Sequence, residues 1–195
     1  MQEHVKSDGT LQTVRLVLRV GPSDAATRLA QYYRDNAEHL RPWAPVPADR
    51  FFSAAFWEEA LDRDRHEFLE RRSARFVIFA RDYPNGPVLG QCNFSEFVSG
   101  IFQACYLGYA LDRRCVGKGF MTEALSAAIP FVFETIGMHR IMANYMPANE
   151  RSGALLRKLG FEVEGFARNY LYINGGWQDH ILTALTNPNP SEPVL

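Results

Sequence analysis

No apolar run in this chain approaches the ~18–20 residues that a membrane-spanning helix needs. That argues against a membrane role. The first residues, with Glu3, His4, Lys6 and Asp8, lack the apolar core of a secretory signal. Cysteine is scarce. Cys92, Cys105 and Cys115 are odd in number and carry no ligand spacing, so free thiols in a reducing cytoplasm are expected. The histidines, at positions 4, 39, 66, 139 and 180, are also scattered, and no metal site is expected. Excess positive charge is absent too. A net charge of −1 argues against general nucleic-acid affinity, which relies on basic surface.

What is present is a globular composition. The apolar share is 47%, and 195 residues suffice for one domain with a sizeable core. The chain therefore reads as a single domain over 1–195, with 1–12 and 187–195 expected as mobile ends. Hydrophobic periodicity gives the order β-α-α-β-β-β-α-β-α-β-β. Thr13 to Val20 alternates as a first strand, and Ser23 or Asp24 is placed to cap the next helix. A second helix is expected from about Phe52 to Arg72, and strands over Arg75 to Arg81 and Val88 to Phe97. Pro130 conflicts with a continuous helix from Phe120 to Ile136, because proline removes a backbone donor.

The chemistry concentrates at Arg113-Arg114-Cys115-Val116-Gly117-Lys118-Gly119-Phe120. This segment joins a strand, Ala104 to Leu111, to a helix. Glycines let backbone N–H groups approach a ligand closely, and a helix start offers free donors and partial positive charge. Both favour a phosphate or pyrophosphate. A Walker loop would need Ser or Thr after Gly117-Lys118, where Gly119 stands. A dinucleotide loop would need a small residue where Thr122 stands, and no βαβ unit opens the chain. The plainer reading is a tight strand–helix turn with solvated cations.

Arg114, Gly117 and Gly119 also match the acetyl-CoA signature Arg/Gln-x-x-Gly-x-Gly/Ala. Further on, Asn149, Ser152 and the Gly160-Phe161 pair resemble a second signature, in the order and spacing found in the GNAT acetyltransferases. The chain thus resembles that superfamily from about Val14 to Pro188. Ala104 to Tyr109, His139 to Pro147 and Trp177 to Thr186 look like its branch that acetylates the N-terminal alanine of a ribosomal protein.

The resemblance implies an α/β (α+β) fold: a mixed, mostly antiparallel sheet with splayed central strands, flanked by helices. It implies acetyl-CoA as the cofactor. Backbone groups of Cys115, Val116, Gly117, Lys118, Gly119 and Phe120 would hold the pyrophosphate, with Arg114 adding charge. Tyr109, Ala110 and Leu111 would pair with the pantetheine arm, and an N–H there could polarise the thioester carbonyl. Asn149 would contact the pantetheine region. Ser152 would lie near the sulfur and donate a proton. Both also fit a helix N-cap and first turn without any ligand.

A base is harder to find. The resemblance implies a glutamate where Leu171 or a neighbour stands. Glu96 is an alternative, though a solvated edge carboxylate is its plainer reading. Tyr145, Tyr170 and Tyr172 could supply hydrogen bonds. An α-amine, with pKa ≈ 7.7–8.0, needs little help to become neutral. Cys115 lies among cations that would lower a thiol pKa. Trp43, Phe51, Phe52, Phe56 and Trp57 could line an acceptor groove or pack in the core. The expected partner is a protein N-terminus, with no direct nucleic-acid or membrane binding. A small-molecule amine acetyltransferase and a non-catalytic CoA-binding or ribosome-assembly module are the alternatives.

Overall fold

Eight strands form one sheet in the order β1-β2-β3-β4-β5-β6-β8-β7. The structure, a computed structural model, describes residues 9–190 and Glu192. The strands are β1 Thr10–Gln12, β2 Leu16–Val20, β3 Ala74–Ala80, β4 Gly90–Val98, β5 Ala104–Leu111, β6 Arg140–Tyr145, β7 Glu162–Ile173 and β8 Gly176–Thr186. The helices are α1 Ala26–Asp35, the single turn α2 Ala37–Leu40, α3 Ala54–Leu69, α4 Phe120–Pro130 and α5 Glu150–Lys158. Every strand pair is antiparallel except β5 with β6.

Alternation along the strands sends side chains to two cores. Phe76, Ile78, Cys92, Phe94, Leu107 and Ile141 face α4 and α5, where Ala124, Leu125 and Leu156 complete one core. Val17, Val77 and Phe79 face α1 and α3, against Leu29, Trp57 and Leu61. The β7–β8 hairpin closes on Asn174 and Gly175, both at positive φ (48° and 82°), the geometry of a two-residue turn that matches strand twist.

Several local expectations change. The first strand is shorter than Thr13 to Val20, because the chain reverses there. Thr13 N–H donates to the Leu16 carbonyl, and β1 folds back on β2. Thr10–Gln12, within the end expected to be mobile, forms the strand β1. Residues 1–8, 191 and 193–195 of the expected mobile ends lie outside the described residues. Asn187 is held by its N–H, which donates to the His139 carbonyl at 2.7 Å. Neither Ser23 nor Asp24 caps α1 with its side chain; Asp24 pairs with Arg19 and Arg28 instead. Ser53 does cap α3, accepting from Phe56 N–H. At Pro130 the helix yields as its missing donor requires: α4 ends and a π-helical stretch, Phe131–Ile136, carries the chain on to Gly137.

One topological feature positions the site. The parallel strands β5 and β6 pair only from Ala104↔Arg140 to Tyr106↔Met142. Both continue, to Leu111 and Tyr145, but diverge. On its other side β5 remains paired with β4 up to Gly90↔Leu111. Tyr109, Ala110 and Leu111 therefore turn one backbone edge into an open V. Among the described residues, no helix is long and apolar enough to cross a membrane.

Candidate active site

The V opens next to the glycine loop. Gly117 and Gly119 both have left-handed φ, 79° and 77°. Side chains rarely adopt this conformation, which explains glycine at both positions. A Cβ added at Gly117 would meet nothing within 4 Å, so the loop faces open space at the start of α4. Open space, free helix-start donors and Gly119 as N-cap form a cradle that fits a pyrophosphate. Val116 and Phe120 are half-buried, while Lys118 is exposed beside them. Arg15 ties this loop to the sheet. It donates to the Lys118 carbonyl at 3.1 Å, pairs with Glu123 at 2.6 Å, and lies over the Phe120 ring at 4.5 Å. Thr13 Oγ1 donates to the same Glu123 carboxylate.

Beneath the loop lies Asp112, which is buried. Its carboxylate accepts from Arg114 N–H at 2.8 Å, from Arg114 Nε and Nη2 at 2.9 and 2.7 Å, and from Asn36 Nδ2 at 3.2 Å. Asn36 Oδ1 in turn accepts from Arg113 N–H at 2.9 Å. The hydrogen bonds from Arg114 hold the Asp112 carboxyl down at about 2 despite its burial. Arg114 is thus anchored through Asp112, while its side chain remains largely exposed. Neither Asp112 nor Asn36 stood out in the sequence. An Asp two residues before Arg114 does carry Asx-turn chemistry, but Asn36 is remote and carries no local signal. The cations around Cys115 do not lower its thiol pKa as expected. Burial, then the nearby Asp112, pushes its thiol up, and these outweigh the lowering by Lys118 and Arg114.

On the far side of the V, Asn149 caps α5, its Oδ1 accepting from Ser152 N–H at 3.2 Å. The cap presents Ser152 to β5: its Oγ lies 2.6 Å from the Tyr109 hydroxyl. Burial pushes the Tyr109 hydroxyl up to about 12, so it stays protonated at neutral pH. When Tyr109 donates, the Ser152 proton is free for another acceptor. The free edge of β5 and the second signature thus meet through the side chains of Tyr109 and Ser152. Gly153 permits this approach, since a Cβ there would come within 2.7 Å of the Tyr145 ring.

The remaining candidates divide. Leu171 is exposed. Glu96 is exposed, at φ 55°, where the β4–β5 register shifts. Tyr145 is packed on Gly153, and Tyr172 is exposed beside Trp177. Tyr170 accepts from Asn144 Nδ2 at 3.2 Å, with burial raising its pKa. Trp57 is core: it stacks on Tyr33 at 4.9 Å and its Nε1 donates to the Phe51 carbonyl. Phe51 and Phe56 meet it edge to face and Phe52 packs edge-on against Phe51, leaving Trp43 as the exposed member.

The Acetyltransferase (GNAT) domain family matches residues 15–162. The chain belongs to the GNAT acetyltransferase family. Its sheet and splayed strands are those of a GNAT fold. It is 48% identical over 179 residues to the [Ribosomal protein uS5]-alanine N-acetyltransferase of Escherichia coli, covering 92% of this chain and 91% of that one. The ribosomal-protein-S5-alanine acetyltransferase of Vibrio fischeri superposes with a TM-score of 0.89 at 34% identity, over 94% of this chain and 99% of that one. RimJ of Mycobacterium smegmatis, solved with CoA-disulfide, superposes with a TM-score of 0.81 at 26% identity, over 94% and 87%.

Proposed function

We propose that this chain transfers the acetyl group of acetyl-CoA directly to the N-terminal alanine of ribosomal protein uS5, in the cytoplasm. The observation that carries the reading is 48% identity to the E. coli enzyme of that activity, sustained over 92% of the chain. Bound acetyl-CoA supplies an activated acetyl thioester. The N–H groups from Cys115 to Phe120 would hold its pyrophosphate at the start of α4, and Arg114 would add charge. The free edge of Tyr109, Ala110 and Leu111 would take the pantetheine amides, with a backbone N–H aimed at the thioester carbonyl oxygen.

Ser152 is the residue assigned to give a proton to the departing sulfur, with Tyr109 fixing its hydroxyl. Asn149 sets the first turn of α5 and so the place of Ser152. A strong base is not required. With pKa ≈ 7.7–8.0, an appreciable fraction of an α-amine is already neutral near pH 7, whereas a lysine near 10.4 is almost wholly charged. The proton released on amide formation can leave through water.

The test is turnover of acetyl-CoA against Ala-, Ser- and Met-starting peptides, free lysine and polyamines. The expected order places an Ala-starting uS5 peptide first, with a pH rise near the α-amine pKa. Faster acetylation of spermidine or an internal lysine would move the assignment to a small-molecule or lysine acceptor. No turnover with any amine, despite CoA binding, would favour a non-catalytic module.

A further inference from the structure

The sheet face opposite α4 and α5 is only partly covered. Among the described residues, the core beneath α1 and α3 draws on Val17 of β2 and on Val77 and Phe79 of β3, and on no residue of β5, β6 or β8. On this face β5 presents Tyr106, Gly108 and Ala110, because Cys105 and Leu107 belong to the core on the other side. Gly108 is exposed, and a Cβ there would meet nothing within 4 Å. Side chains are thus smallest just where pairing with β6 has ended, beyond Tyr106↔Met142. Ser152 reaches the V from the α5 side, so this open face is left for an acceptor.

Polar side chains from three strands converge at this opening. Asn144 stands on β6 two residues beyond Met142, between Ala143 and Tyr145, which face the other core. Its Nδ2 donates to the Tyr170 hydroxyl at 3.2 Å. Tyr170 comes from β7, across β8, with its ring 5.5 Å from that of His180. A bulge aims it there. The β7–β8 register slips between Ala167 and Leu171, and Asn169 is held at φ 48° by its N–H, which donates to Asp179 at 2.8 Å. Bulges re-aim side chains, and left-handed backbone outside glycine carries a cost. Tyr106 also hydrogen-bonds to the Tyr170 hydroxyl. The Asn144 N–H can only donate, so the two phenols hold two protons between them. One is shared within the pair, and the other has no acceptor among the described residues. Tyr106 is the more exposed of the two, at 38%.

We infer that the Tyr106 hydroxyl donates to the carbonyl oxygen of the acceptor's first residue, with Asn144 and Tyr170 fixing its direction; this rests on the acceptor proposed above. A peptide N-terminus carries a carbonyl on the same carbon as its amine. A polyamine or a lysine side chain carries none there. The bond therefore selects backbone over side-chain amines. It orients the amine toward the thioester carbon and leaves the nitrogen lone pair free. A neutral phenol also adds no charge that would favour the ammonium form.

The experiment compares wild type, Tyr106→Phe and Tyr170→Phe on an Ala-starting peptide. A second peptide has its first amide replaced by a trans alkene, which removes the carbonyl oxygen and keeps the shape; its inhibition constant is read from competition with the first. Acetyl-CoA binding is followed by calorimetry. Tyr106→Phe is expected to lose about five- to tenfold in kcat/KM on the peptide, while the alkene's inhibition constant and the acetyl-CoA affinity stay within about twofold of wild type. Tyr170→Phe should lose less on the peptide, because Tyr106 remains but loses its anchor. Equal weakening of peptide and alkene would overturn the inference, since Tyr106 would then act without the carbonyl. Full-rate peptide turnover by Tyr106→Phe, or a matching loss of acetyl-CoA affinity, would overturn it too. A wild-type enzyme inactive on the peptide but active on another amine would instead remove the proposed acceptor, and this inference with it.

Discussion

The Tyr109 hydroxyl and Ser152 Oγ lie 2.6 Å apart, joining the free edge of β5 to the first turn of α5. The two residues are 43 positions apart in the chain. Asn149 turns Ser152 inward through its cap, and Gly153 lets the helix settle on Tyr145. The contact therefore depends on an N-cap, a missing side chain and a strand pair that stops early.

Removing either hydroxyl should damage the same step. Ser152→Ala is expected to lower kcat on the order of 10- to 100-fold, with a small change in acetyl-CoA affinity. Tyr109→Phe should lower it less, because Ser152 remains but loses its anchor. The double variant should be no worse than Ser152→Ala, since the residues act as one unit. Steady-state kinetics with single-turnover controls would check this. Additive losses would show that the two hydroxyls act separately.

Gly153→Ala places a methyl 2.7 Å from the Tyr145 ring, closer than packed atoms tolerate. Overpacking of this kind costs about 1–3 kcal/mol. Because α5 must shift to relieve it, the Tyr109–Ser152 contact should lengthen. The variant should melt several degrees lower and turn over more slowly. Tyr145→Leu in the same chain should restore part of both by making room. Thermal melting and kcat measured on the pair decide it.

Gly117→Val tests the cradle. The valine side chain has room, so the loss is in the backbone, which must hold φ 79°. A left-handed residue costs roughly 1–2 kcal/mol, and more when β-branched. The chain should still fold, but its loop should relax to negative φ and turn the N–H groups away. Calorimetry is expected to show acetyl-CoA affinity reduced by about tenfold or more. Unchanged affinity in the folded variant would remove the loop from the binding site.

Local signals carried most of this architecture. Alternation marked the strands, and the Gly117 and Gly119 pair marked a loop that only glycine accommodates easily. Asn149 was legible as a cap because capping is decided within four residues. What stayed hidden depends on distant partners. Asn36 supports the loop from α1, which no spacing near residue 113 reveals. Cys115 reads as activated from its charged neighbours, yet the fold buries it and reverses the shift. Trp57 reads equally as groove or core until Tyr33 is seen stacked on it. Thr10 to Gln12 lacks the length to read as a strand alone, and becomes one by lying against β2.

The loop's support should itself respond to acid. Asp112 has its folded pKa held at about 2, below the ordinary aspartate value of 3.8, chiefly by hydrogen bonds from Arg114. Folding therefore favours the carboxylate. Its contribution is present above pH 3.8 and is lost as pH falls toward 2. Asp112→Asn removes the charge while keeping an oxygen for Asn36 or Arg114. It should cost about 1–3 kcal/mol at neutral pH, because donors once served by two anionic oxygens lose a partner. Its stability should then fall less steeply than wild type between pH 4 and pH 2, since one titrating group is gone. Denaturant unfolding at a series of pH values measures both effects. Parallel curves for the two proteins through that window would mean that Asp112 titrates alike when folded and unfolded, and that Arg114 does not hold it. Acetyl-CoA affinity measured at neutral pH should weaken in Asp112→Asn, because Arg113 and Arg114 lose the support that sets the start of the loop.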